Sequence, residues 1–181
     1  MAKLKLNNTE KHLRQFAENV IAKGKKILKS KKKNVSGKLL DSLKYRLEAT
    51  NKGYNLIFKG ANYATFVDKG VSGTKTTRTY HNIFGKRQRS PFKYTSKQPP
   101  ASALDKWIVK KGLAGIRDKK GRFVSRKSLA FLIARSIKSK GLAATSFFSK
   151  PMSIELENFD TEILKSFKTD IITHFETLDL Q

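Results

Sequence analysis

The chain has 181 residues, with 39 Lys and Arg against 14 Asp and Glu, no cysteine and a net charge of +25. The missing cysteine excludes disulfides, thiolate metal sites and a cysteine nucleophile. No apolar run approaches the roughly 20 residues of a membrane span, and the basic start MAKLKLNNTEKHL lacks the apolar stretch of a secretory signal, so no membrane partner is expected.

In chain order, residues 9–30 read as an amphipathic helix. Thr9 stands as its N-cap, and Leu13, Phe16, Val20, Ile27 and Leu28 fall on one face, interrupted at Gly24. The run Lys29 to Lys33 ends this helix and is either a phosphate contact or a solvated terminus. Leu43, Tyr45, Leu47 and Ala49 alternate with polar residues, as do Tyr54, Leu56 and Phe58 after Asn51-Lys52-Gly53. This predicts a β-hairpin with one buried face. A helix over 39–48 competes, because Leu39, Leu40, Leu43 and Leu47 also form a helical stripe.

Residues 62–69 read as a short helix stopped by Gly70. Residues 71–98 hold seven Lys or Arg and no acid, with Tyr80, Ile83, Phe84, Phe92 and Tyr94 interleaved. Unstructured loops beyond about 12–15 residues are uncommon in compact domains, so a long hairpin arm turning near Gly85-Lys86 is expected. Helices follow over 101–112, with Leu104, Trp107 and Ile108 on one face, and from Ser125 or Ser128 to Lys140, with Leu129, Leu132, Ile133 and Ile137 inside. Residues 153–178 carry the clearest stripe: Leu156, Phe159, Ile163, Phe167, Ile171 and Phe175, flanked by Leu164, Ile172 and Leu178. The organisation expected is one domain over 1–152 and an acidic amphipathic helix over 153–181.

The charge is unevenly spread. Residues 1–151 hold 37 bases and 7 acids; residues 152–181 hold 2 bases and 7 acids. Lysine outnumbers arginine 30 to 9, so codon bias and solubility compete with polyanion binding as the origin of the charge. The histidines His12, His81 and His174 lie far apart and read as ordinary imidazoles rather than metal ligands. Asp41, Glu48 and Asp68 flank the predicted hairpin, but no second carboxylate on either strand completes a two-metal nuclease pattern. No nucleophile elbow, Walker loop or dinucleotide fingerprint occurs. No enzyme, catalytic residue, metal or cofactor is expected, and nucleic-acid binding, if any, is expected without sequence reading.

Val35-Ser36-Gly37-Lys38-Leu39-Leu40-Asp41-Ser42-Leu43 resembles the T/S-G-x-L-x-x-S-I/L start of a family of tailed-bacteriophage tail-completion, neck or head–tail joining proteins. Tyr63-Ala64-Thr65-Phe66-Val67-Asp68-Lys69-Gly70 resembles its Y-A-x-x-V-[DE]-x-G segment. A third segment is similar too: Pro99-Pro100, Trp107-Ile108 with Gly112, Leu129 to Ile137, then Gly141, Thr145 and Phe147-Phe148. The similarity runs from about 35 to 152; the basic segment after Gly70 and the C-terminal helix depart from many relatives.

The resemblance implies an α+β fold, with a twisted antiparallel sheet carrying helices on one side. It also implies a non-catalytic virion protein of the neck or tail, assembled in the host cytoplasm as a homo-oligomeric ring. Its partners would be portal- or connector-side and tail-side proteins, with non-specific contact to packaged DNA. Gly37, Leu39, Ser42, Tyr63, Ala64, Asp68, Gly70 and Trp107 are its structural marks; Tyr63, Phe66, Trp107 and Phe147 are expected in the core. Lys75, Arg78, Tyr80, Lys86, Arg87, Arg89 and Phe92 are the expected arm contacts to neighbouring proteins or DNA. The alternative is a small DNA- or RNA-binding protein using its basic surface without sequence preference.

Overall fold

The computed structural model describes residues 6–32, 36–50, 53–113, 115–117 and 119–179, with side chains described through residue 176. Among them are helices α1 (Asn7–Ser30), α2 (Lys38–Ser42), α3 (Ala64–Lys69), α4 (Ser102–Lys110), α5 (Arg126–Lys140), α6 (Ser149–Leu156) and α7 (Phe159–Asp179). The strands are β1 (Lys44–Thr50), β2 (Gly53–Lys59), β3 (Thr79–His81) and β4 (Arg87–Arg89). The fold is α+β, and its strands form two two-stranded antiparallel sheets, β1–β2 and β3–β4, rather than one larger sheet.

Helix α1 buries Phe16, Ala17, Val20, Gly24 and Leu28 along one face, as its stripe predicts. It begins at Asn7, so Thr9 lies inside the first turn instead of capping it. At Gly24 the helix passes so close to the 147–148 crossing that a Cβ would stand 2.8 Å from the Phe147 carbonyl oxygen. The apparent interruption of the stripe is therefore a point of close packing.

Residues 39–48 satisfy both readings in turn. A single helical turn over Lys38–Ser42 buries Leu39 and Leu40, and the chain then becomes extended at Leu43 to enter β1. In the β1–β2 ladder Tyr45 faces Phe58 and Leu47 faces Leu56, with Tyr45 Oη donating to Glu18 of α1 at 3.0 Å. The turn residues Asn51 and Lys52 lie outside the described residues. The core gathers Leu28, Leu39, Leu40, Leu43 and Phe147, flanked by Ile21, Ile27, Ala64, Val67 and Phe148. Each such side chain contributes about 1.5–3 kcal/mol of burial.

The basic segment 71–98 turns where expected, with Asn82 N–H donating to Lys86 O and Gly85 N–H to Asn82 O. Its strands pair over only three residues each, Thr79↔Arg89 to His81↔Arg87. The base of the segment is stitched to the body: Val71 and Leu142 exchange backbone hydrogen bonds, and Thr74 and Lys75 donate to Lys138 and Ser139 at the end of α5. What stands clear is a short tip, not an arm spanning the whole segment.

Of the two candidate starts, Ser125 and Ser128, helix α5 uses Ser125 as its cap, whose hydroxyl accepts from Ser128 N–H. The C-terminal stripe is divided between α6 and α7, which part at Glu157 and Asn158. Helix α7 returns antiparallel along α1: the Phe159 ring lies 4.7 Å from that of Phe16, and Asp170 reaches Asn8 and Thr9. Among the described residues no helix is long and apolar enough to cross a membrane.

Candidate functional site

The first two motif segments and the end of the third, separate in the sequence, meet in one place. Gly37 starts α2 with φ 75°, and Ser42 locks its end by donating to Leu39 O at 2.8 Å and accepting from Ala61 N–H at 2.9 Å. Ala64 packs beside Leu39 and Leu40 in the core. The Thr145–Phe148 segment then docks on α3: Thr145 Oγ1 donates to Val67 O at 2.7 Å, and Ser146 N–H donates to Asp68 O. Asp68, buried, accepts from Phe148 N–H at 2.8 Å and from the backbone and hydroxyl of Ser149. It thereby caps the N-terminus of α6 from 80 residues away, where the helix dipole favours a carboxylate.

Gly70 lets the crossing close. Its φ of 70° and ψ of −178° belong to glycine alone, and a Cβ would lie 2.7 Å from both Ala144 N and Leu142 O. Phe147 is buried as expected, and Trp107 is half-buried on α4. Tyr63 and Phe66 are exposed, correcting the expectation that they are core. Being on the outer side of a six-residue helix, Phe66 packs instead, tilted by 55°, against the Phe92 ring, 4.4 Å away.

Asp170 plays the same part for α1. It accepts from Asn8 N–H, Thr9 N–H, Asn8 Nδ2 and Thr9 Oγ1, at 2.7–2.9 Å. Burial pushes its pKa up, but these four hydrogen bonds outweigh burial and hold it below the usual carboxylate range. Lys23 pairs with Glu155 on α6, and His12 Nε2 lies 3.8 Å from Glu162. The acidic C-terminal tract thus docks on its own α1.

The expected arm contacts divide. Tyr80 is buried, bonding Gln88 through its hydroxyl and carrying Lys69 over its ring; Arg78 Nε donates to Lys140 O; Phe92 packs on Phe66. These three hold the segment to the body. Lys75, Lys86, Arg87 and Arg89 are exposed. Between them Asn82 Oδ1 accepts from Phe84 N–H and Lys86 N–H, fixing a turn that presents Phe84 with 73% of its surface exposed. Phe84 is not among the expected contacts; its position directly before the turn glycine is the sequence signal that marks it.

A second basic surface is visible only in three dimensions. Lys111 Nζ donates to Lys32 O at 3.1 Å, joining the last turns of α1 and α4. Lys29, Lys31, Lys32, Lys110 and Lys111 are all exposed there. Neither 19–40 nor 106–117 contains an acid. Both helices end at this point, and their C-terminal dipoles favour the cations.

Two helices also leave apolar faces uncovered. Beyond the edge that α7 packs on α1, it exposes Leu164, Phe167, Ile172 and Phe175; α5 exposes Phe131 and Leu132. Leu132 thereby departs from its expected place inside. Elsewhere a groove of about 350 Å³ opens between α1, α3 and the β1–β2 hairpin, lined by Val20, Phe58, Ala64 and Phe148, with Lys44 and Lys59.

Of the carboxylates considered for a nuclease, Glu48 pairs with Arg46 and Asp68 is spent on its cap. Among the described residues no three His, Asp or Glu gather as metal ligands. No family model, curated protein or solved structure matches this chain.

Proposed function

We propose that the chain is a structural, non-catalytic subunit of a ring in the neck or tail-completion region of a tailed-phage virion, bordering the DNA conduit. The motif order that resembles that family supports this reading, and the observation that carries it is the uncovered apolar surface of α5 and α7. Six large apolar side chains are exposed on these two helices, and clustered apolar surface is a mark of interaction sites. Such faces are what an assembling subunit keeps for its neighbours.

In this reading the portal- or connector-side and tail-side proteins meet the ring's two rims, and the exposed tip with Phe84, Lys86, Arg87 and Arg89 reaches one of them. The lysines at the joined ends of α1 and α4 face packaged DNA through weak, salt-screened contacts. Electron microscopy of the purified protein, alone and with its neck partners, tests the reading. Closed rings that join the portal–tail stack are expected; a monomer that never enters particles overturns it.

The lysine cluster favours a second reading, a nucleic-acid binder without sequence preference. That reading requires tight retention of DNA, with log affinity falling against log salt by about 0.9 per phosphate neutralised. Failure to retard DNA at low salt removes it.

A further inference from the structure

We propose that the turn between α4 and α5, around Arg117 and Phe123, is a stacking platform for single-stranded nucleic acid. This rests on the nucleic-acid reading above and names the form of polymer that the basic surface takes. Arg117 and Phe123 pair as an antiparallel β-bridge, Val124 N–H donates to Ile116 O at 2.9 Å, and Gly121 turns the chain with φ 78°. The Arg117 side chain fixes the turn from within. Its Nη1 donates to Gly121 O at 2.7 Å, and its guanidinium carbon lies 3.9 Å from the centroid of the Phe123 ring. With the guanidinium over it, Phe123 still keeps 67% of its surface exposed. An aromatic ring held outward on a pinned turn and backed by a cation is a surface on which a base stacks.

The surrounding charge suits phosphate. Residues 106–140 hold twelve Lys or Arg and one acid, Asp118, which lies outside the described residues. Asp105 of α4 lies 3.7 Å from Arg126. Arg117, Lys119, Lys120, Arg122 and Lys127 are exposed on the turn and its exit. The turn also continues the lysine surface at the joined ends of α1 and α4. Lys111, bonded to Lys32 O, precedes Ile116 by five residues, a span of at most about 18 Å. A strand can thus lay phosphates along Lys32 and Lys111 and set a base on Phe123. The ring decides between polyanions. A duplex meets the charges but keeps its bases stacked on one another, and an acidic protein surface brings the ring no regular planar partner.

The test separates bases from charge. A fluorescein-labelled oligothymidylate and an abasic deoxyribose-phosphate strand of equal length are titrated in parallel by anisotropy at low salt. The wild type is expected to hold the thymidylate about 5- to 100-fold more tightly, the range for one stacked base. Phe123→Ala, at a site too exposed to disturb folding, is expected to remove that preference, with circular dichroism and abasic-strand affinity unchanged; Phe123→Tyr is expected to retain it. Equal binding of the two strands by the wild type, or a preference that survives Phe123→Ala, overturns the platform while leaving the electrostatic reading intact. A loss of duplex affinity in Phe123→Ala as large as the loss of thymidylate affinity overturns the choice of a single strand. Displacement by polyglutamate as readily as by unlabelled thymidylate overturns the proposal in favour of an acidic protein partner. No binding of either strand at low salt overturns both the platform and the nucleic-acid reading.

Discussion

Asp68 and Asp170 each lie far along the chain from the helix whose first turn they serve. Asp170→Ala leaves the Asn8 and Thr9 donors of α1 unsatisfied and is expected to cost about 2–3 kcal/mol, read as a fall in denaturation midpoint. The folded pKa of Asp170 is depressed, so its stabilisation is complete above the unfolded carboxylate value. It diminishes as pH falls through the folded value. Wild-type stability should therefore drop below about pH 4, and Asp170→Asn should flatten part of that drop. A profile identical for both proteins would refute the assignment. Gly70→Ala and Gly85→Ala make a matched pair, since both glycines have positive φ but only Gly70 has backbone within 4 Å of its Cβ position. Thermal unfolding should show a cost of about 2–4 kcal/mol at Gly70 and about 1 kcal/mol at Gly85.

Among the elements, periodicity and local chemistry made α1, the β1–β2 hairpin, the start of α5 at one of two serines and the turn at Gly85-Lys86 legible. Contacts across the fold decided the rest. Thr9 has the residue type of a cap, yet the cap of α1 comes from 161 residues away. The segment 71–98 has the composition of a free arm, yet its base is bonded to Leu142 and to the end of α5. Glu157 and Asn158 contain neither proline nor glycine, so the break between α6 and α7 has no local signature. The stripe of α7 is wider than α1 can cover. Periodicity shows that Leu164 and Phe175 are on the apolar side, but not that the fold leaves them exposed. Phe84→Ser at the tip should leave the melting temperature within about 1 °C while weakening any complex with a neck partner, as pull-down would show.

For the whole molecule, the +25 charge resolves into separate surfaces. The acidic tract is spent partly on α1, through Asp170, Glu155 and Glu162, and partly offered outward on α7. The lysines of α1 and α4 concentrate at one end. Replacing Lys29, Lys32, Lys110 and Lys111 with Glu should lower the salt slope of DNA retention by about 0.9 for each phosphate no longer neutralised, without changing the copy number of the assembly. The proposed ring requires copies of this chain to assemble through faces the monomer leaves bare. Native mass spectrometry of the purified protein across a concentration series tests it most directly. One closed copy number is expected for the wild type and a monomer for Leu164→Glu; a wild-type chain that stays monomeric at every concentration would overturn the ring.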